Sequence, residues 1–375
     1  MRTKFWFGIM SRRGQWESGF FRMMQQLGSH RGVGVYVFSP ADLHPSEGWT
    51  WGYRYRNGEW LRGRYPMPDV TYNRMFFGRG ANGRMLMRVV SRWRARYHPI
   101  FINESVPGKW KSFLALKQER SLTPYLAETR LLTSQSMLRE FLRQHPSVYL
   151  KSVYGMQGRG ILRIDRRQNG YSVHARNWQS QLSRGYFHST ASLYGFIRRW
   201  LSGRQAICQE TLRLDWWHQR PADLRILLQK DGTGEWQVTG MGARVGRLKG
   251  LTSNLHSGGV CIPADEYVKA CSQVAGFDPV SKLEELYVLS IKTAKCIEKA
   301  YGRMGELGLD IGLDDRGHFF ILECNTQPGR RILLGLKRMD LYRLAVERPI
   351  LYAGYLHGRR DRGIKDSTSS TAISG

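Results

Sequence analysis

The chain has 375 residues and carries 58 lysines and arginines against 30 acidic residues, which gives a formal net charge of +28. A hydrophobic content of 41% excludes an intrinsically disordered protein, and the length predicts two or three packed units. No apolar run reaches the roughly 18 residues that a membrane span requires. The apolar stretch near the start is too short for a secretory signal, so we expect cytoplasmic synthesis.

The strong positive charge favours anionic partners such as nucleotides, nucleic acids and acidic polymers. The basic residues are spread along the chain without a zinc-finger, RRM or leucine-zipper signature, so the sequence predicts no specific nucleic-acid reader. The five cysteines are scattered and contain no CxxC pair, which argues against a structural zinc site and a disulfide framework. We therefore expect reduced thiols.

The first third of the chain, residues 1–104, predicts a small α/β domain. Residues 3–10 and 33–38 have strand patterns and 17–27 has a helical pattern, which together predict a βαβ unit. The Gly-, Trp-, Tyr- and Pro-rich stretch 44–68 predicts a hairpin or an irregular excursion. This region contains no recognisable catalytic constellation. Its remaining predicted elements are a strand at 68–74 and a basic helix at 85–97.

From about residue 105 the sequence predicts a second region of alternating helices and strands. Segments 224–229 and 235–244 predict a hairpin across an Asp-Gly-Thr-Gly turn. The longest predicted helix, 281–301, opens with a capping box formed by Ser281 and Glu284. The remaining predicted helices are 109–116, 134–143 and 191–201, and the remaining predicted strands are 148–151, 161–164 and 205–210.

The strongest local signal is a predicted hairpin at 307–325, where two apolar strands flank an Asp-Asp-Arg-Gly turn. If Leu313 pairs with His318, Asp310 lies opposite Ile321. Opposite residues of a hairpin share a face, and side chains alternate with period two along each strand. The register therefore decides which polar side chains converge.

In this register, Asp310, Glu323 and Asn325 project from one face and Cys324 projects from the other. Two carboxylates and a carboxamide oxygen form a hard-oxygen site that suits Mg²⁺. An exposed polar face is the alternative, but apolar residues on the same face favour a partly buried site, where unpaired carboxylates are costly. We expect Cys324 to be a small buried residue behind the metal face.

A second signal is Lys151, which ends an apolar strand and precedes the glycine-rich segment 155–160. Glycines let backbone N–H groups approach phosphate, and a strand-end lysine adds a positive charge beside it. No Gly-Lys-Ser/Thr follows, so the segment is not a Walker A motif. A glycine-rich hairpin without a ligand is the alternative.

A third signal is the pair Asp223 and Arg225, which strand alternation places on one face, with Arg244 and Asn254 downstream. Arginine forks and amides suit a phosphate or a developing acyl phosphate. A surface ion pair is the alternative for each of these residues.

In this order, the segments resemble the ATP-grasp ligases of the glutathione-synthetase type over about 105–345. The Asp…Glu-x-Asn ending and an Asn…Gly-Gly element at 254–259 are the most specific parts of the resemblance. Within that superfamily, 307–330 and 68–74 look most like the YheC/YheD endospore-coat-associated proteins. The matching positions are Lys109, Leu122, Thr123, Pro124, Glu128, Thr129, Lys151, Gly155, Gly158, Gln209, Glu210, Asp223, Arg225, Asn254, Asp310, Glu323 and Asn325.

The resemblance implies an α/β (α+β) protein in which a small N-terminal α/β domain of the pre-ATP-grasp type, 1–104, precedes a two-lobed ATP-grasp fold. The small lobe with its glycine-rich lid spans 105–208, and the large lobe with the metal site spans 209–357. A disordered tail, basic and then Ser/Thr-rich, spans 358–375. The resemblance also implies ATP and one or two Mg²⁺ ions, with Mn²⁺ as an alternative ion.

The resemblance further assigns roles to single residues. Contacts with ATP phosphates are implied for Lys109, or second to it Lys111, for Lys151, and for the lid glycines Gly155, Gly158 and Gly160. The adenine segment is implied at Gln209 and Glu210, and a ribose contact at Asp215. Contacts with the transferring phosphate and the substrate are implied for Arg225, Arg244 and Asn254, and Mg²⁺ ligands are implied at Asp310, Glu323 and Asn325.

These roles predict a Mg-ATP-dependent carboxylate–amine or carboxylate–thiol ligase that acts through an acyl phosphate and is associated with sporulation or the spore coat. The basic surface favours an acidic carboxylate substrate. Two departures from the ligases, Ser152 in place of a proline and Thr252 in place of an arginine, favour a first alternative. It is a catalytically weak or inactive ATP-binding scaffold protein of the spore coat. A polyanion-binding basic protein is the second alternative.

Overall fold

Three β-sheets follow one another along the chain, and helices cover them. The computed structural model describes residues 3–14, 16–75, 81–103, 107–155, 159–179, 181–248, 250, 251, 253 and 258–363. The predicted α/β (α+β) class is confirmed. In the described part of the chain, no helix combines the length and the apolar character that a membrane span needs.

The N-terminal third forms a seven-stranded sheet whose four parallel strands include the predicted βαβ unit. Its first two strands are almost entirely apolar, as expected for parallel strands that are buried on both faces. The stretch at 44–68 contains a hairpin. The elements are β1 (Phe5–Met10), α1 (Ser18–His30), β2 (Val33–Phe38), β3 (Leu43–His44), β4 (Trp49–Arg56), β5 (Glu59–Pro66), β6 (Val70–Asn73), α2 (Ala81–Tyr97) and β7 (Ile100–Ile102).

A six-stranded antiparallel sheet follows, and the strand that carries Lys151 lies inside it. One face of this sheet packs against two helices through residues such as Phe141 and Ile197. The helix at Gln135–Gln144 is capped by Ser134, whose hydroxyl accepts the backbone N–H of Met137. The elements are α3 (Lys109–Gln118), β8 (Thr129–Leu131), α4 (Gln135–Gln144), β9 (Ser147–Ser152), β10 (Ile161–Arg167), β11 (Gly170–Arg176), β12 (Leu182–Phe187), α5 (Thr190–Leu201) and β13 (Ala206–Glu210).

The last third forms a five-stranded antiparallel sheet that contains both predicted hairpins. Alternate residues such as Leu224, Ile226 and Leu309 face the largest apolar core, so the residues between them face the opposite side. The elements are β14 (Ala222–Lys230), β15 (Trp236–Val245), β16 (Val260–Pro263), α6 (Ala264–Ala275), α7 (Pro279–Tyr301), β17 (Glu306–Leu313), β18 (Phe319–Asn325), α8 (Arg331–Gly335) and α9 (Met339–Asp361).

Helix α7 begins two residues earlier than predicted, and the predicted capping box of Ser281 and Glu284 is wrong. The N-cap is Asp278, whose carboxylate accepts the backbone N–H of Ser281 at 2.8 Å and its hydroxyl at 2.7 Å. Pro279 occupies the first helical position, where its missing N–H leaves no helical hydrogen bond unmade. Ser281 is therefore a donor to the cap and not the cap itself.

Helix α9 was missed in the sequence, although it is as long as α7, with 23 residues each. Pro349 interrupts its helical pattern, and its buried residues meet two different cores. Val346 joins the N-terminal core, whereas Ala345 joins a cluster beside α8. Residues 358–361, which were assigned to the disordered tail, continue the helix. Residues 364–375 of the predicted tail lie outside the described residues.

Candidate functional site

The hairpin of β17 and β18 carries the predicted metal ligands, but its predicted register is wrong. Leu313 pairs with Phe319 instead of His318. A bulge beside Asp310 then admits one more residue on β18, so Glu323 lies directly opposite Asp310. Two shifts of one residue cancel in their effect on side-chain direction. The two carboxylates therefore share a face, as the sequence predicted, for a reason that the sequence did not show.

The carboxylate of Asp310 lies between two arginines. Nε of Arg225 lies 2.6 Å from Oδ1 of Asp310, and Nη2 lies 3.0 Å from Oδ2. Nη2 of Arg244 lies 2.9 Å from the same Oδ2. Arg244 also forms a two-bond fork with Asp223, at 2.7 and 2.6 Å. Cross-strand pairing of β14 with β15 and β17 creates this four-residue network on the face that carries Glu323.

The charges of this network stabilise one another against burial. Burial alone would raise the pKa of Asp310, but the positive charges of Arg225 and Arg244 outweigh it and keep this pKa below its ordinary value. Burial lowers the pKa of Arg225, and the nearby charge of Arg244 adds to the decrease. Asp310 is therefore an ionised carboxylate that can serve as a cation ligand.

Glu323 and Asn325 complete the oxygen-bearing set. Glu323 accepts a hydrogen bond from Nζ of Lys109, the first residue of α3, and its side chain remains 29% exposed. Asn325 is half-buried and pairs with Gly308, which places it on the same face. A Cβ atom on Gly308 would lie 3.1 Å from Nη1 of Arg225, so the glycine leaves room for that guanidinium.

Cys324 faces the opposite side of the hairpin. It pairs with Leu309, and both residues pack in the large apolar core. Burial raises the pKa of its thiol well above the ordinary value, which keeps the sulfur protonated and unreactive. Cys324 is partly buried and packs behind the carboxylate face, so its predicted position is observed although its burial is incomplete.

Lys151 projects from β9, and its Nζ donates to Oε1 of Gln209 at 2.5 Å. Burial lowers the pKa of Lys151 to about 8. The carboxylate of Glu323 opposes this decrease, whereas the charge of Lys109 adds to it. The backbone N–H of Lys109 donates to the carbonyl of Val153, two residues after Lys151, at 3.0 Å, and Nζ of Lys109 contacts Glu323. The structure therefore brings both predicted phosphate-binding lysines to the neighbourhood of the Glu323 carboxylate.

If Lys151 binds an ATP phosphate, as the resemblance implies, its pKa predicts that ATP binding depends on pH. We expect the affinity to fall between about pH 7 and 9, because the lysine loses its proton and with it the charge that attracts phosphate. Lys151→Gln should lower the affinity at neutral pH by about tenfold or more and remove most of this dependence. Calorimetric titrations across this pH range measure both effects. An equally steep decrease in the variant would contradict the assignment.

The residues proposed for adenine and ribose lie on β13 and just after it. Nε2 of Gln209 donates to the hydroxyl of Thr129 at 3.0 Å, so both ends of this amide have partners. Oε1 of Glu210 accepts the backbone N–H of Glu128 at 2.7 Å. Both side chains are therefore engaged within the protein. The backbone is engaged as well, because Gln209 pairs with β8 and β9 and the backbone N–H of Glu210 donates to the carbonyl of Glu128 at 3.1 Å. Asp215 is exposed.

Part of the predicted site lies outside the described residues: Gly158, Asn254 and Thr252. Of the other lid glycines, Gly160 has a φ of +65° and abuts the indole of Trp178, so a side chain there would be strained and would clash. Gly155 lies close to the carbonyl oxygen of Arg159. Lys111, the second choice for phosphate, contacts Tyr301 through its backbone carbonyl.

A buried charge cluster that the sequence analysis missed lies beside the hairpin. Glu306, at the start of β17, is fully buried and accepts hydrogen bonds from Nη2 of Arg330 and Nη1 of Arg74, both at 2.7 Å. Tyr72 donates its hydroxyl to the same carboxylate, and Gln229 donates to it at 3.2 Å. The cluster joins the N-terminal sheet to both flanks of the hairpin.

Asn103 forms a second connection of this kind. Its Oδ1 accepts the backbone N–H groups of Gly305 at 2.9 Å and Glu306 at 3.1 Å, and its Nδ2 donates to the carbonyl of Thr326. It has a φ of +59°, a conformation that asparagine tolerates better than most residues. An asparagine directly after β7 is the one sequence signal that could have indicated this connection between β7 and the hairpin.

The donor set fits a divalent cation that also binds phosphate. In the part of the chain that the structure describes, no three His, Cys, Asp or Glu side chains gather at one point. A cation at Asp310 and Glu323 would therefore rest on two carboxylates, the Asn325 amide and oxygens from another molecule. Mg²⁺ is commonly bound in this way, through one or two carboxylates plus substrate phosphates.

Comparison with known families assigns this arrangement. A family model described as YheC/D like ATP-grasp matches residues 99–356, more than two thirds of the chain. The chain belongs to this ATP-grasp family. The resemblance inferred from 307–330 is thus confirmed.

Individual relatives extend over most of the chain. The Bacillus subtilis (strain 168) endospore coat-associated protein YheC is 25% identical over 330 residues, covering 87% of this chain and 89% of YheC. The YheD protein of the same strain is 26% identical over 341 residues, covering 90% of this chain and 74% of YheD. D-alanyl-alanine synthetase A from Vibrio cholerae shares the fold, with a TM-score of 0.51 and 12% identity over 94% of this chain and 99% of the synthetase.

Proposed function

We propose that this protein is a Mg-ATP-dependent ligase that activates a carboxylate. The observation that carries the proposal is the convergence of Lys109, Lys151, Asp310 and Glu323, which combines phosphate-binding cations with cation-binding carboxylates. Membership of the ATP-grasp family and the ligase fold of its structural neighbours support it. Each component alone occurs in many surface clusters, whereas the combination suits a nucleotide triphosphate with its metal ion.

The proposed mechanism consists mainly of positioning and charge neutralisation. Lys109 and Lys151 would bind the ATP phosphates, and Arg225 and Arg244 would stabilise the negative charge of the transferring group. The γ-phosphoryl group would pass to a substrate carboxylate oxygen, giving an acyl phosphate and ADP. An amine or thiol would then attack the carbonyl carbon and release phosphate. The amine or thiol loses one proton as the new bond forms, and the departing phosphate can accept it, so no protein group is assigned as a general base.

Mg²⁺, or Mn²⁺ in its place, would be held by Asp310, Glu323 and Asn325 and would neutralise charge on the phosphates. In the structure, Glu323 is paired with Lys109 and Asp310 with two arginines. Without ATP, each of these basic side chains is therefore paired with a carboxylate of the site where it would bind phosphate. Binding of Mg-ATP would exchange these ion pairs for contacts with metal and phosphate without leaving an uncompensated buried charge.

The remaining assignments belong to the same proposal. Gly155, Gly158 and Gly160 would cover the phosphates, and Gln209, Glu210 and Asp215 would bind the nucleoside. Asn254 would face the substrate. We also propose that 1–104, 105–208 and 209–357 act as an N-terminal domain, a small lobe and a large lobe. The packing of α9 against the N-terminal core holds the first and last of these together.

The biological setting is proposed from the relatives, whose names describe them as endospore coat-associated. From that likeness we propose a role in sporulation and contacts with spore-coat proteins. The formal charge of +28 supports an acidic carboxylate substrate. We expect binding of an acidic substrate to weaken steeply as salt is added, and binding of a neutral substrate to change little.

A nucleotide-binding scaffold without turnover is the second candidate. It is favoured by Ser152, which stands where the ligases carry proline and is buried in β9. ADP release decides between the two. The ligase should release ADP only when Mg²⁺ and a carboxylate substrate are both present. ATP binding without ADP release across a panel of acidic and neutral carboxylates would support the scaffold.

A further inference from the structure

The exposed face of helix α2 carries a row of arginines. Arg84, Arg88, Arg92 and Arg96 are spaced four residues apart, and all four are exposed. At a rise of about 1.5 Å per residue, they form a line of about 18 Å on one side of the helix. The helix contains no acidic residue, so this row, called here the arginine row, has no counter-charge from its own element.

The arginine row is not explained by the packing of the helix. The opposite side of α2 supplies the core contacts, through Val90 and the fully buried Trp93. Like charges four residues apart repel on a helix surface, so the row does not stabilise α2 by itself. In the described part of the chain, neither Arg88 nor Arg92 has an ion-pair partner. A polyanionic partner would provide a counter-charge for these two arginines.

The direction of α2 links the arginine row to the proposed active site. Strands β6 and β7 are parallel, so α2, which connects them, must run from their carboxyl edge back to their amino edge. The carboxyl edge faces the end of β18, where Gln327 donates to the backbone carbonyls of Asn73 and Met75 at 3.3 and 3.1 Å. Arg84, near the start of α2, is therefore the member of the row nearest to the end of β18, the strand that carries Glu323 and Asn325.

The spacing of the arginine row fits an extended acidic polypeptide. Successive arginines are about 6 Å apart along the helix, and alternate side chains of an extended chain are about 6.6 Å apart. A phosphodiester chain has a similar spacing, but it offers no carboxylate to the proposed active site. Met85 and Met87, which are 54% and 43% exposed, flank the row and add adaptable apolar contacts that suit a peptide.

We propose that the arginine row is a docking track that binds an extended acidic polypeptide and leads its carboxylate to the site at Asp310 and Glu323. This inference rests on the proposed ligase function for the identity of the partner. It explains why the charges are presented as arginines in one line on the N-terminal domain, because guanidinium groups bind carboxylates through two parallel hydrogen bonds.

Direct binding tests the docking track. The probe is a fluorescein-labelled peptide of about twenty glutamates, and the variant replaces all four arginines of the row with glutamine. The matched control, R139Q/R143Q/R198Q/R199Q, removes the same charge from exposed positions on α4 and α5. We expect the row variant to weaken peptide binding by about tenfold or more and the control by less than about threefold. Equal weakening in both would overturn the proposal, because bulk charge would then explain the binding.

Other partners are outcomes of the same experiment. If an oligothymidylate of similar length, or vesicles containing phosphatidylserine, bind tighter than the peptide and lose that binding in the row variant, the polypeptide assignment is wrong. Circular dichroism of both variants establishes that they remain folded. Binding of all probes should weaken as salt is added, since each depends on charge.

A separate readout distinguishes failure of the docking track from failure of the ligase function. Glu323→Gln should retain peptide binding and lose ADP release. If wild type binds the peptide through the row but never releases ADP with any carboxylate, the ligase proposal fails and the track stands as a binding surface. If ADP release stimulated by the acidic peptide has the same kcat/KM in the row variant, the track fails and the ligase proposal stands.

Discussion

Replacing Glu323 with glutamine is expected to remove most of the Mg²⁺ dependence of ATP binding. The substitution keeps the size of the side chain but replaces a charged oxygen ligand with an amide directly opposite Asp310. Loss of one of two carboxylates should weaken Mg-ATP binding by at least about tenfold. Isothermal calorimetry with Mg-ATP, and with ATP in the presence of a chelator, measures the effect without knowledge of the substrate.

The decisive quantity is the ratio of the affinity for Mg-ATP to the affinity for metal-free ATP. Glu323→Gln also frees Lys109 from its carboxylate partner, so the affinity for metal-free ATP should stay constant or increase. A general loss of folding would instead lower both affinities together. The matched control is Asp315→Asn, which removes one carboxylate from the turn of the same hairpin. A wild-type Mg²⁺ dependence in Glu323→Gln, or an equal loss in Asp315→Asn, would contradict the proposed metal site.

Much of the fold could be predicted because local patterns determined it. β1, α1 and β2 follow the strand and helix periodicities of their own residues, and so does the hairpin of β14 and β15. Helix α9 could not be found in this way, because its interior Pro349 and its contacts with two cores hide a single apolar stripe. Its position depends on tertiary packing, which a window of sequence does not contain.

The hairpin of β17 and β18 shows how a wrong register can still give a correct site. Side chains alternate with period two along a strand, and this alternation placed Asp310 and Glu323 on one face. An error of two residues in the register leaves both side chains on that same face. An error of one residue would have turned Glu323 toward the core. The bulge that decides between these outcomes has no clear signature in the sequence, because Leu322 and its neighbours would also fit an unbroken strand.

The charged partners of the site could be predicted only in part. Arg225 and Arg244 were recognised through strand alternation, and the structure brings both to Asp310. The cluster around Glu306 was invisible, because its members come from four distant segments that meet only when the N-terminal sheet docks against β17. Asn103 is similar, since its role depends on the backbone of a strand two hundred residues later.

Removal of the Glu306 carboxylate is expected to produce the largest loss of stability. Glu306→Ala would leave Arg74 and Arg330 facing each other without their shared carboxylate, and both guanidinium groups are almost fully buried. Breaking a buried ion pair by removing one partner typically lowers the free energy of unfolding by about 3–5 kcal/mol. Urea denaturation followed by tryptophan fluorescence measures this change, and Glu306→Gln should give an intermediate loss because it retains one acceptor oxygen.

The exposed pair of Arg130 and Glu140 provides the matched control. Their nitrogen and oxygen lie 3.1 Å apart, but the side chains are 35% and 53% exposed, so Glu140→Ala should change stability by less than about 1 kcal/mol. Equal effects at Glu306 and Glu140 would show that the buried cluster contributes no more than a surface contact. A large effect confined to Glu306 would support a cluster that fixes β17, and with it Asp310, against the N-terminal domain. The position of the proposed metal ligand would then depend on residues of that domain that never contact the metal.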